Sequence, residues 1–417
     1  MQKVMITGIG MLCANGNGKT AVWESIKGGK PGIGRIAGFD PSRCTSQVAG
    51  EVKGFEAYAI ESGLVDRKTA RHMARFSQFA VAAAKEAWAD AGYTEENRPA
   101  MDRVGTLIGC GIGGIEVTGE NYKTLFDRGP DRLSPLAVPE LIPNEAAGNV
   151  SLALGAKGPC QVIATACASS TDALGYAMDL IRAGRADVVI AGGAEACITE
   201  FVIGGFMKMR ALSTHYNDAP ETACRPFTAD RDGFVAGEGA AMLILESEAH
   251  AKARGARAYC ELAGYGATSD AYHITAPDPS GEGAVKAIRI ALNDAGVTDL
   301  STVDYINAHG TSTALNDAME TMAFKTVFGE QAKSINISST KSMHGHLLGA
   351  AGALEAAITA LAIREGFVPP TINYNTPDPA LDLNYTPNVG VRRDIRVALS
   401  SSLGFGGHNG ILVLRKV

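Results

Sequence analysis

The sequence predicts a duplicated α/β protein in which two mostly parallel sheets are covered by helices, as an α/β/α/β/α sandwich. Two observations predict this class. Short apolar runs that are typical of buried strands alternate along the chain with segments of helical periodicity. The same order of elements also occurs twice, with a seam near residues 250–257. We therefore expect an N-terminal half at residues 1–252 and a C-terminal half at residues 253–417.

Each half contains the same series of elements. A strand with a glycine turn is followed by a helix that ends in the tripeptide DAG, a strand that runs into a polar or glycine turn, a strand–turn–helix unit, and a closing alternating strand. The segments of the first half are KVMITGIGM, FAVAAAKEAWADAG, RVGTLIGCGIGG, CQVIATACASSTDALG and VAGEGAAMLILE. Those of the second half are AYCELAGYGATSD, AVKAIRIALNDAG, TVDYINAHGTST, SINISSTKSMHGHLLG and GFGGHNGILVLR.

The composition favours a compact enzyme. The 417 residues are 46% hydrophobic and include 49 glycines but only 13 Phe and 2 Trp. No apolar run approaches the ~18 residues of a membrane span, and MQKVMITGIGMLC resembles a buried strand rather than a leader, which predicts a cytoplasmic protein with no membrane partner. The formal charge of −6 argues against nucleic acid as a partner. The eight cysteines form no CxxC motif, which indicates reduced thiols and disfavours zinc.

Cys167 in VIATACASSTDALG is the first candidate for a chemical role. Residues 161–164 are predicted to form a short buried strand. One face of a helix that ends at Gly184 is predicted from the spacing of Leu174, Ala177, Met178 and Ile181. Cys167 therefore lies at a strand-to-helix turn, where free N–H groups and the positive end of the helix dipole favour a thiolate. These features predict a nucleophile.

The corresponding turns of the second half carry His309 in NAHGTST and Lys341, His344 and His346 in STKSMHGHLLGAAGALE. We expect these turns to meet the turn of Cys167. Three histidines could bind a metal, but no carboxylate or thiolate is spaced to help, and Lys341 would oppose a cation. The arrangement better suits a thiolate nucleophile with two neutral imidazoles that donate hydrogen bonds to one developing oxyanion.

Two glycine motifs are weak signals for a nucleotide. GCGIGG at residues 109–114 fits G-x-G-x-x-G, but no clear helix and acidic strand end complete the dinucleotide fingerprint. NGNGKT ends like a P-loop, but Cys13 stands where the first glycine is required. Neither motif predicts a nucleotide site.

Several motifs together resemble the β-ketoacyl-acyl-carrier-protein synthases, and in particular the elongating synthase II class. The resemblance covers essentially the whole chain and rests on TACASS, NAHGTST, STKSMHGHLLGAAGALE, SLGFGGHNG, DRDGFVAGEGA and TSDAYH. It implies a duplicated thiolase fold, a homodimer, and an acyl carrier protein bearing malonyl or acyl phosphopantetheine as the partner. It also implies an acyltransferase that extends a fatty acyl chain by two carbons through decarboxylative condensation, with no required cofactor.

The resemblance assigns roles by position. Cys167 would be the acylated nucleophile, His309 and His346 would hold the malonyl thioester carbonyl, and Lys341 would order the site electrostatically. The backbone N–H groups of Cys167 and Phe405 would form the oxyanion hole for acyl transfer, and the Phe405 side chain would also act as a gate.

The resemblance also implies binding positions outside this centre. Thr311 and Thr313 would hold phosphopantetheine, and Ile112 would line the acyl tunnel. A structural Na⁺ or K⁺ would lie near Asn307, Glu355, Ser400 and Ser401, although Ser401 departs from an asparagine seen in some members. A basic docking patch for the acidic carrier protein would comprise Lys68, Arg71, Arg132, Lys208 and Arg210. His344 departs from the small or apolar residue frequent in relatives, and we expect it to have no chemical role.

Four other functions share parts of this pattern. A thiolase requires a second cysteine near the C-terminal glycine turn, but the last cysteine is Cys260. A chain-initiating synthase resembles a Cys-His-Asn site, whereas this chain has a second histidine. An inactive chain-length subunit typically lacks the cysteine that is present here as Cys167. A ketosynthase of a type II polyketide pathway uses the same residues and remains the alternative.

Overall fold

The structure, a computed structural model, describes residues 2–417. The strands are β1 Val4–Cys13, β2 Gly16–Asn17, β3 Gly34–Arg35, β4 Val48–Ala49, β5 Val104–Gly109, β6 Cys160–Ile163, β7 Val188–Glu195, β8 Gly239–Ser247, β9 Cys260–Ser269, β10 Val303–Asn307, β11 Asn336–Ser338, β12 Phe367–Val368, β13 Val391–Arg392, β14 Val397–Gly404 and β15 His408–Arg415. The helices are α1 Lys19–Lys27, α2 Phe55–Glu61, α3 Arg67–Ala70, α4 Arg75–Asp90, α5 Ile115–Arg128, α6 Ala137–Leu141, α7 Glu145–Leu154, α8 Ser169–Arg182, α9 Glu200–Lys208, α10 Glu248–Ala253, α11 Glu282–Asp294, α12 Ala314–Phe328, α13 Lys341–His344 and α14 Ala351–Glu365.

The two halves contain the same five-stranded arrangement. In the first half the strand order is β6-β5-β7-β8-β1, and in the second it is β11-β10-β14-β15-β9. In each set, three neighbouring strands run parallel and the remaining two ladders are antiparallel. The duplication that the sequence predicts is therefore present in the topology.

The sheets differ from the expectation in two respects. They are mixed rather than mostly parallel. A tight turn joins β14 to β15 and forces an antiparallel ladder, and β8 also pairs antiparallel with β7, although a long segment that contains α9 connects these two strands. The two sets are also joined edge to edge, since residues 4–6 of β1 pair with residues 260–262 of β9. The strands β7 and β14 were absent from the series that the sequence predicts.

Five layers are formed, as the sequence predicts. Helices α4 and α7 cover the outer face of the first sheet, and α11 and α12 cover the outer face of the second. Helices α8 and α14 lie between the sheets in the largest apolar cluster. Almost all of α14 is buried, because apolar residues surround it on every side. No helix within residues 2–417 is both long and apolar enough to cross a membrane.

The central helices approach each other closely at Gly352. A Cβ at this position would lie 2.0 Å from the Thr171 hydroxyl oxygen and 2.9 Å from that of Ser402. Only a glycine therefore allows α14 to pack this tightly against α8. The contact brings the N-terminal ends of both helices to the middle of the molecule, where the candidate site lies.

The segment that connects the halves is fastened to the first sheet. The predicted seam after residue 252 lies near the end of α10, between β8 and β9. Glu246 on β8 accepts hydrogen bonds from Tyr93 at 2.8 Å, from His250 at 2.7 Å and from Arg254 at 2.9 Å. Although burial raises the pKa of Glu246, hydrogen bonds from Arg254, then from His250 and Thr7, lower it to about 2.

Candidate active site

Cys167 lies in a single 3₁₀ turn, Ala166–Ala168, between β6 and α8. The residue before it, Ala166, has a positive φ of 50°, which is strained for a residue with a Cβ. The second half has an equivalent 3₁₀ turn before α14, in which Leu348 has a φ of 46°. The two turns pack against each other. Cys167 therefore lies at the strand-to-helix turn that the sequence predicts.

The structure brings Cys167, His309 and His346 together. One side-chain ligand atom from each of the three lies within 4.8 Å of the others. The imidazole ring centroids are 5.2 Å apart, and the rings are nearly perpendicular at 85°. All three side chains are buried and line a cavity of about 570 Å³. Turns from both halves therefore form one site.

His309 follows β10 and is held from two directions. Its backbone N–H donates to Glu320 at 2.7 Å, and that of Gly310 donates to the other oxygen of the same carboxyl at 2.8 Å. The Lys341 ammonium lies 3.3 Å from His309 Nδ1. Because an ammonium can only donate, Nδ1 accepts and the ring proton resides on Nε2.

His346 has the same tautomer for a different reason. Its Nδ1 accepts the backbone N–H of Leu348 at 3.2 Å, so its proton also resides on Nε2. Burial, and next the charge of Lys341, hold the pKa of both His309 and His346 well below the usual range. The site therefore contains two neutral imidazoles, and the Nε2–H of each has no hydrogen-bond partner within residues 2–417.

Lys341 is fully buried at the start of α13 and is ion-paired with Glu355. Burial raises the pKa of Glu355 to about 7, and Lys341 opposes this change. A lone buried charge would be costly, so this pairing allows a positive charge to persist beside the imidazoles. That charge also disfavours a metal ion between Cys167 and the two histidines, although their atoms are close enough to share one.

The protonation state of Cys167 differs from the sequence-based expectation. Burial raises the pKa of its thiol to about 11, although Lys341 and the N–H of Phe405 act in the opposite direction. The predicted thiolate is therefore wrong for the resting site. Desolvation depends on how the surrounding chain packs, and here it outweighs the helix terminus.

The backbone of the turn after β14 lies against Cys167. The N–H of Phe405 donates toward the sulfur, and a Cβ at Gly404 would be only 3.1 Å from the Cys167 nitrogen. The two N–H groups predicted to form an oxyanion hole are thus neighbours. The Phe405 side chain is half-buried, with its ring 6.4 Å from that of Phe206. Its action as a gate stays a prediction.

The predicted substrate-binding residues line the same cavity. The hydroxyls of Thr311 and Thr313 are 2.9 Å apart, and both residues border the cavity with Ile112. Glu195, which is fully buried on β7, accepts the backbone N–H groups of Ile112 at 3.2 Å and of Gly349 at 3.1 Å. Glu195 therefore links the cavity wall at Ile112 to the 3₁₀ turn of the second half at Gly349.

Glu195 and Glu320 were missed by the sequence analysis. Both are buried carboxylates that accept backbone N–H groups at the site. The available signal was an acidic residue within an otherwise apolar or small-residue element, as at the end of VVIAGGAE. Burial without such partners would be costly, so this pattern indicates fixed hydrogen bonds.

The predicted cation position contains oxygen atoms without partners. Asn307 Oδ1, Glu355 Oε2 and Ser400 Oγ are buried and have no hydrogen-bond partner among residues 2–417. Asn307 is opposite Ser400 in the β10–β14 ladder, and its amide nitrogen lies 3.3 Å from the Glu355 carbonyl oxygen. The hydroxyl of Ser401 is instead engaged with His309 N–H and Glu320. Three of the four predicted residues thus offer oxygens that suit a small cation.

The predicted docking residues are all exposed, and the structure gives no direct contact among them. These residues are Lys68, Arg71, Arg132, Lys208 and Arg210. Arg210 also lines the cavity that contains Cys167. Their action as one patch stays a prediction.

His344 is buried, but it does not line this cavity.

Comparison with known proteins identifies relatives over the whole chain. A family model described as the N-terminal domain of beta-ketoacyl synthase matches residues 1–251, and one for the C-terminal domain matches residues 259–375. A 3-oxoacyl-[acyl-carrier-protein] synthase 2 of Staphylococcus aureus is 50% identical and covers 100% of this chain and 98% of the relative. The protein of the same name from Synechocystis sp. is 48% identical over 100% of this chain and 98% of the relative.

Solved structures agree with this fold. A beta-ketoacyl synthase from Burkholderia phymatum has a TM-score of 0.91 and 36% identity, covering 100% of both chains. A type II polyketide ketosynthase, solved in complex with its acyl-carrier protein, has a TM-score of 0.91 and 38% identity over 100% of this chain and 99% of that one. Both share the duplicated fold described above.

Proposed function

The chain belongs to the β-ketoacyl synthase family, and from this premise we propose how its site performs the reaction of a 3-oxoacyl-[acyl-carrier-protein] synthase II. The enzyme is an acyltransferase that condenses malonyl-carrier protein with an acyl chain held on a cysteine, which lengthens the chain by two carbons. One observation carries the assignment of residues. Two neutral imidazoles, His309 and His346, have their free Nε2–H groups beside the buried thiol of Cys167.

The first half-reaction transfers the acyl chain to the enzyme. Cys167 Sγ attacks the thioester carbonyl of the acyl-carrier protein, and the N–H groups of Cys167 and Phe405 stabilise the resulting oxyanion. The thiol proton passes to the departing phosphopantetheine sulfur, so no net charge is created. Since burial raises the pKa of Cys167 to about 11, the proton leaves only as the bond forms, with Lys341 stabilising the developing thiolate.

The second half-reaction generates the carbon nucleophile. The carbon–carbon bond to the malonyl carboxylate breaks, carbon dioxide departs, and the electron pair forms an enolate. His309 and His346 donate their Nε2–H groups to the enolate oxygen, which carries more charge in the transition state than in the substrate. Protonated histidines would discriminate less between the substrate oxygen and the more highly charged oxygen of the transition state. Burial and Lys341 keep both rings neutral, since they hold the pKa of each ring low.

Carbon–carbon bond formation completes the cycle. The enolate carbon attacks the acyl-cysteine carbonyl, the same two backbone N–H groups stabilise the tetrahedral oxyanion, and the Cys167 sulfur leaves as a thiolate. The thiolate then takes up one proton from water. Since the carbon–carbon bond that breaks as carbon dioxide departs supplies the electron pair of the enolate, each step balances without a redox or metal cofactor.

The direct test uses purified protein with malonyl-carrier protein and acyl-carrier proteins of graded chain length. We expect each acyl chain to gain two carbons once, with release of one carbon dioxide per product, as measured by mass spectrometry. Cys167→Ala is the matched control and should form no condensed product. Repeated extension of malonyl units without reduction would instead support the polyketide ketosynthase, a class suggested by one structural neighbour.

We also propose that an acidic acyl carrier protein docks beside the cavity. The solved polyketide neighbour is a complex with its acyl-carrier protein, which supports a partner of this class. Exposed Arg210 lines the cavity, and Lys208 lies at the end of α9 two residues before it. These positions would place basic side chains where the carrier must deliver its arm.

We further propose that two copies of the chain form a homodimer through the free edge of β6. Within residues 2–417 this strand pairs only with β5, so one edge offers unpaired backbone groups. Helix α7 packs against β6 and leaves Leu152 82% exposed. Sedimentation should give twice the mass of the chain, and Leu152→Glu should shift the protein towards the monomer. A monomeric wild-type protein at micromolar concentration would contradict this assembly.

Finally, we propose that Na⁺ or K⁺ binds at Asn307, Glu355 and Ser400. The three unpartnered buried oxygens fit a hard monovalent cation, and the role would be structural. Thermal unfolding should occur at a higher temperature in KCl or NaCl than in choline chloride at equal ionic strength. Asn307→Leu should abolish this difference. Equal melting temperatures of the wild-type protein in all three salts would exclude the ion.

A further inference from the structure

We propose that His344 is a positioning residue that fixes the peptide between Gly345 and His346, and so directs the His346 imidazole in the reaction proposed above. The side chain is fully buried and does not line the substrate cavity. It therefore cannot touch the reacting atoms. Its effect must pass through the backbone of its own turn.

Both ring nitrogens of His344 are used within this turn. Nδ1 lies 2.7 Å from the carbonyl oxygen of Gly345, and since a carbonyl can only accept, Nδ1 carries the proton. Nε2 lies 3.1 Å from the hydroxyl of Thr340 and accepts its proton. The ring thus spans the segment from Thr340 to Gly345, which contains Lys341 and leads directly into His346.

The peptide between Gly345 and His346 is held on both sides. Its C=O accepts from His344, and its N–H donates to the carbonyl oxygen of Val235 at 2.7 Å. The next carbonyl, that of His346, accepts the N–H of Gly237 at 2.8 Å. Gly345 has a φ of 77°, a conformation in which glycine imposes little restraint of its own. The orientation of this peptide therefore depends on its hydrogen bonds.

The restraint from His344 does not change with pH in the working range of an enzyme. Burial, followed by the charge of Lys341, lowers the pKa of His344 to about 3. The ring stays neutral, so the same nitrogen donates and the same nitrogen accepts throughout. His344 is thus suited to permanent positioning, and the fixed backbone sets where the Nε2–H of His346 meets the enolate oxygen.

Three substitutions separate the two hydrogen bonds. In His344→Asn the amide nitrogen can replace Nδ1 and donate to Gly345, whereas the contact with Thr340 is lost. In His344→Gln the longer side chain can replace Nε2 and reach Thr340, whereas the bond to Gly345 is lost. His344→Leu removes both hydrogen bonds and fills the space with an apolar side chain. The comparison of Asn with Gln is therefore the matched one.

The measurements are the two half-reactions: labelled carbon dioxide released from malonyl-carrier protein, and acylation of Cys167 by acyl-carrier protein. We expect His344→Gln and His344→Leu to lower carbon dioxide release by about 10- to 100-fold, because small misplacement of a catalytic group is costly. Acylation should stay within about twofold of wild type. His344→Asn should retain most of the carbon dioxide release. Melting temperatures check folding, and the Asn and Gln pair decides if His344→Leu does not fold.

Other outcomes overturn the inference. Equal slowing of both half-reactions would indicate a general structural role, and release of carbon dioxide at the wild-type rate in the Gln variant would show that the bond to Gly345 is dispensable. An Asn variant as slow as Gln would also contradict it. Failure of the wild-type protein to release carbon dioxide would instead contradict the proposed function on which this inference rests.

Discussion

The assignment of separate roles to Cys167 and the two histidines predicts that the half-reactions can be separated by mutation. Cys167→Gln removes the nucleophile and places an amide about where the acyl carbonyl would lie. It leaves the Nε2–H groups of His309 and His346 in place. We expect this variant to form no condensed product but still to release carbon dioxide from malonyl-carrier protein.

His309→Ala and His346→Ala should give the opposite result. Each removes one of two buried N–H donors that converge on one oxygen, and loss of such a donor costs roughly 3–4 kcal/mol, or about 10²- to 10³-fold in rate. Lys341 and the Leu348 N–H each lose a ring partner, but Lys341 keeps its ion pair with Glu355. Acylation of Cys167 should continue in both variants.

The assay is labelled carbon dioxide from malonyl-carrier protein, with acylation of the cysteine measured in parallel by mass spectrometry. Acylation serves as the control, because a misfolded histidine variant would lose both activities. The melting temperature gives a second check. A folded Cys167→Gln protein that releases no carbon dioxide, alongside histidine variants that still do, would refute the division of roles.

Three further predictions concern docking, packing and pH. Reversal of Lys68 and Arg71 to Glu should raise the KM for carrier-bound substrate and flatten its salt dependence, and an unchanged KM and salt slope would exclude these residues from the docking patch. Gly352→Ala should destabilise the protein by several kcal/mol in urea unfolding, because its Cβ would lie 2.0 Å from a neighbouring hydroxyl oxygen. The control is Gly204→Ala, on a helix where a Cβ would have no atom within 4 Å, and it should stabilise the protein by about 0.5–1 kcal/mol. The pKa of Glu246 is about 2 in the folded protein and 4.5 in the unfolded chain. This difference contributes about 3 kcal/mol to the free energy of unfolding above pH 4.5, and the contribution is lost as the pH falls towards 2. Glu246→Gln should therefore be less stable than wild type at pH 7 in urea unfolding, and this difference should shrink at pH 3; a constant difference would refute the coupling.

The location of the site could be predicted because it depends on local patterns. Cys167 and His309 each follow a strand, and the duplicated order of elements indicates that the turns after those strands meet. The hydrogen bonds that set the chemistry could not be predicted in the same way. Glu195 binds Gly349, which is 154 residues away, and no local pattern specifies that pairing.

The errors have a similar origin. The sequence predicts a thiolate at Cys167 from the local helix terminus, but desolvation depends on every segment packed around the thiol and raises its pKa instead. The strands β7 and β14 were missed, and with them the mixed character of the sheets. Both strands contain runs of small residues, AGGA and SSS, which carry a weak strand signal although they are buried in the sheet.

The paired 3₁₀ turns determine how many acyl groups one chain can carry. Cys167 follows Ala166 in the first turn, and Gly349 follows Leu348 at the equivalent place in the second. A Cβ at Gly349 would lie 2.4 Å from the nitrogen of Gly111, so that position cannot hold any side chain. The internal symmetry of the fold is therefore not accompanied by a second nucleophile. Labelling with excess acyl-carrier protein should saturate at a stoichiometry of one acyl group per chain.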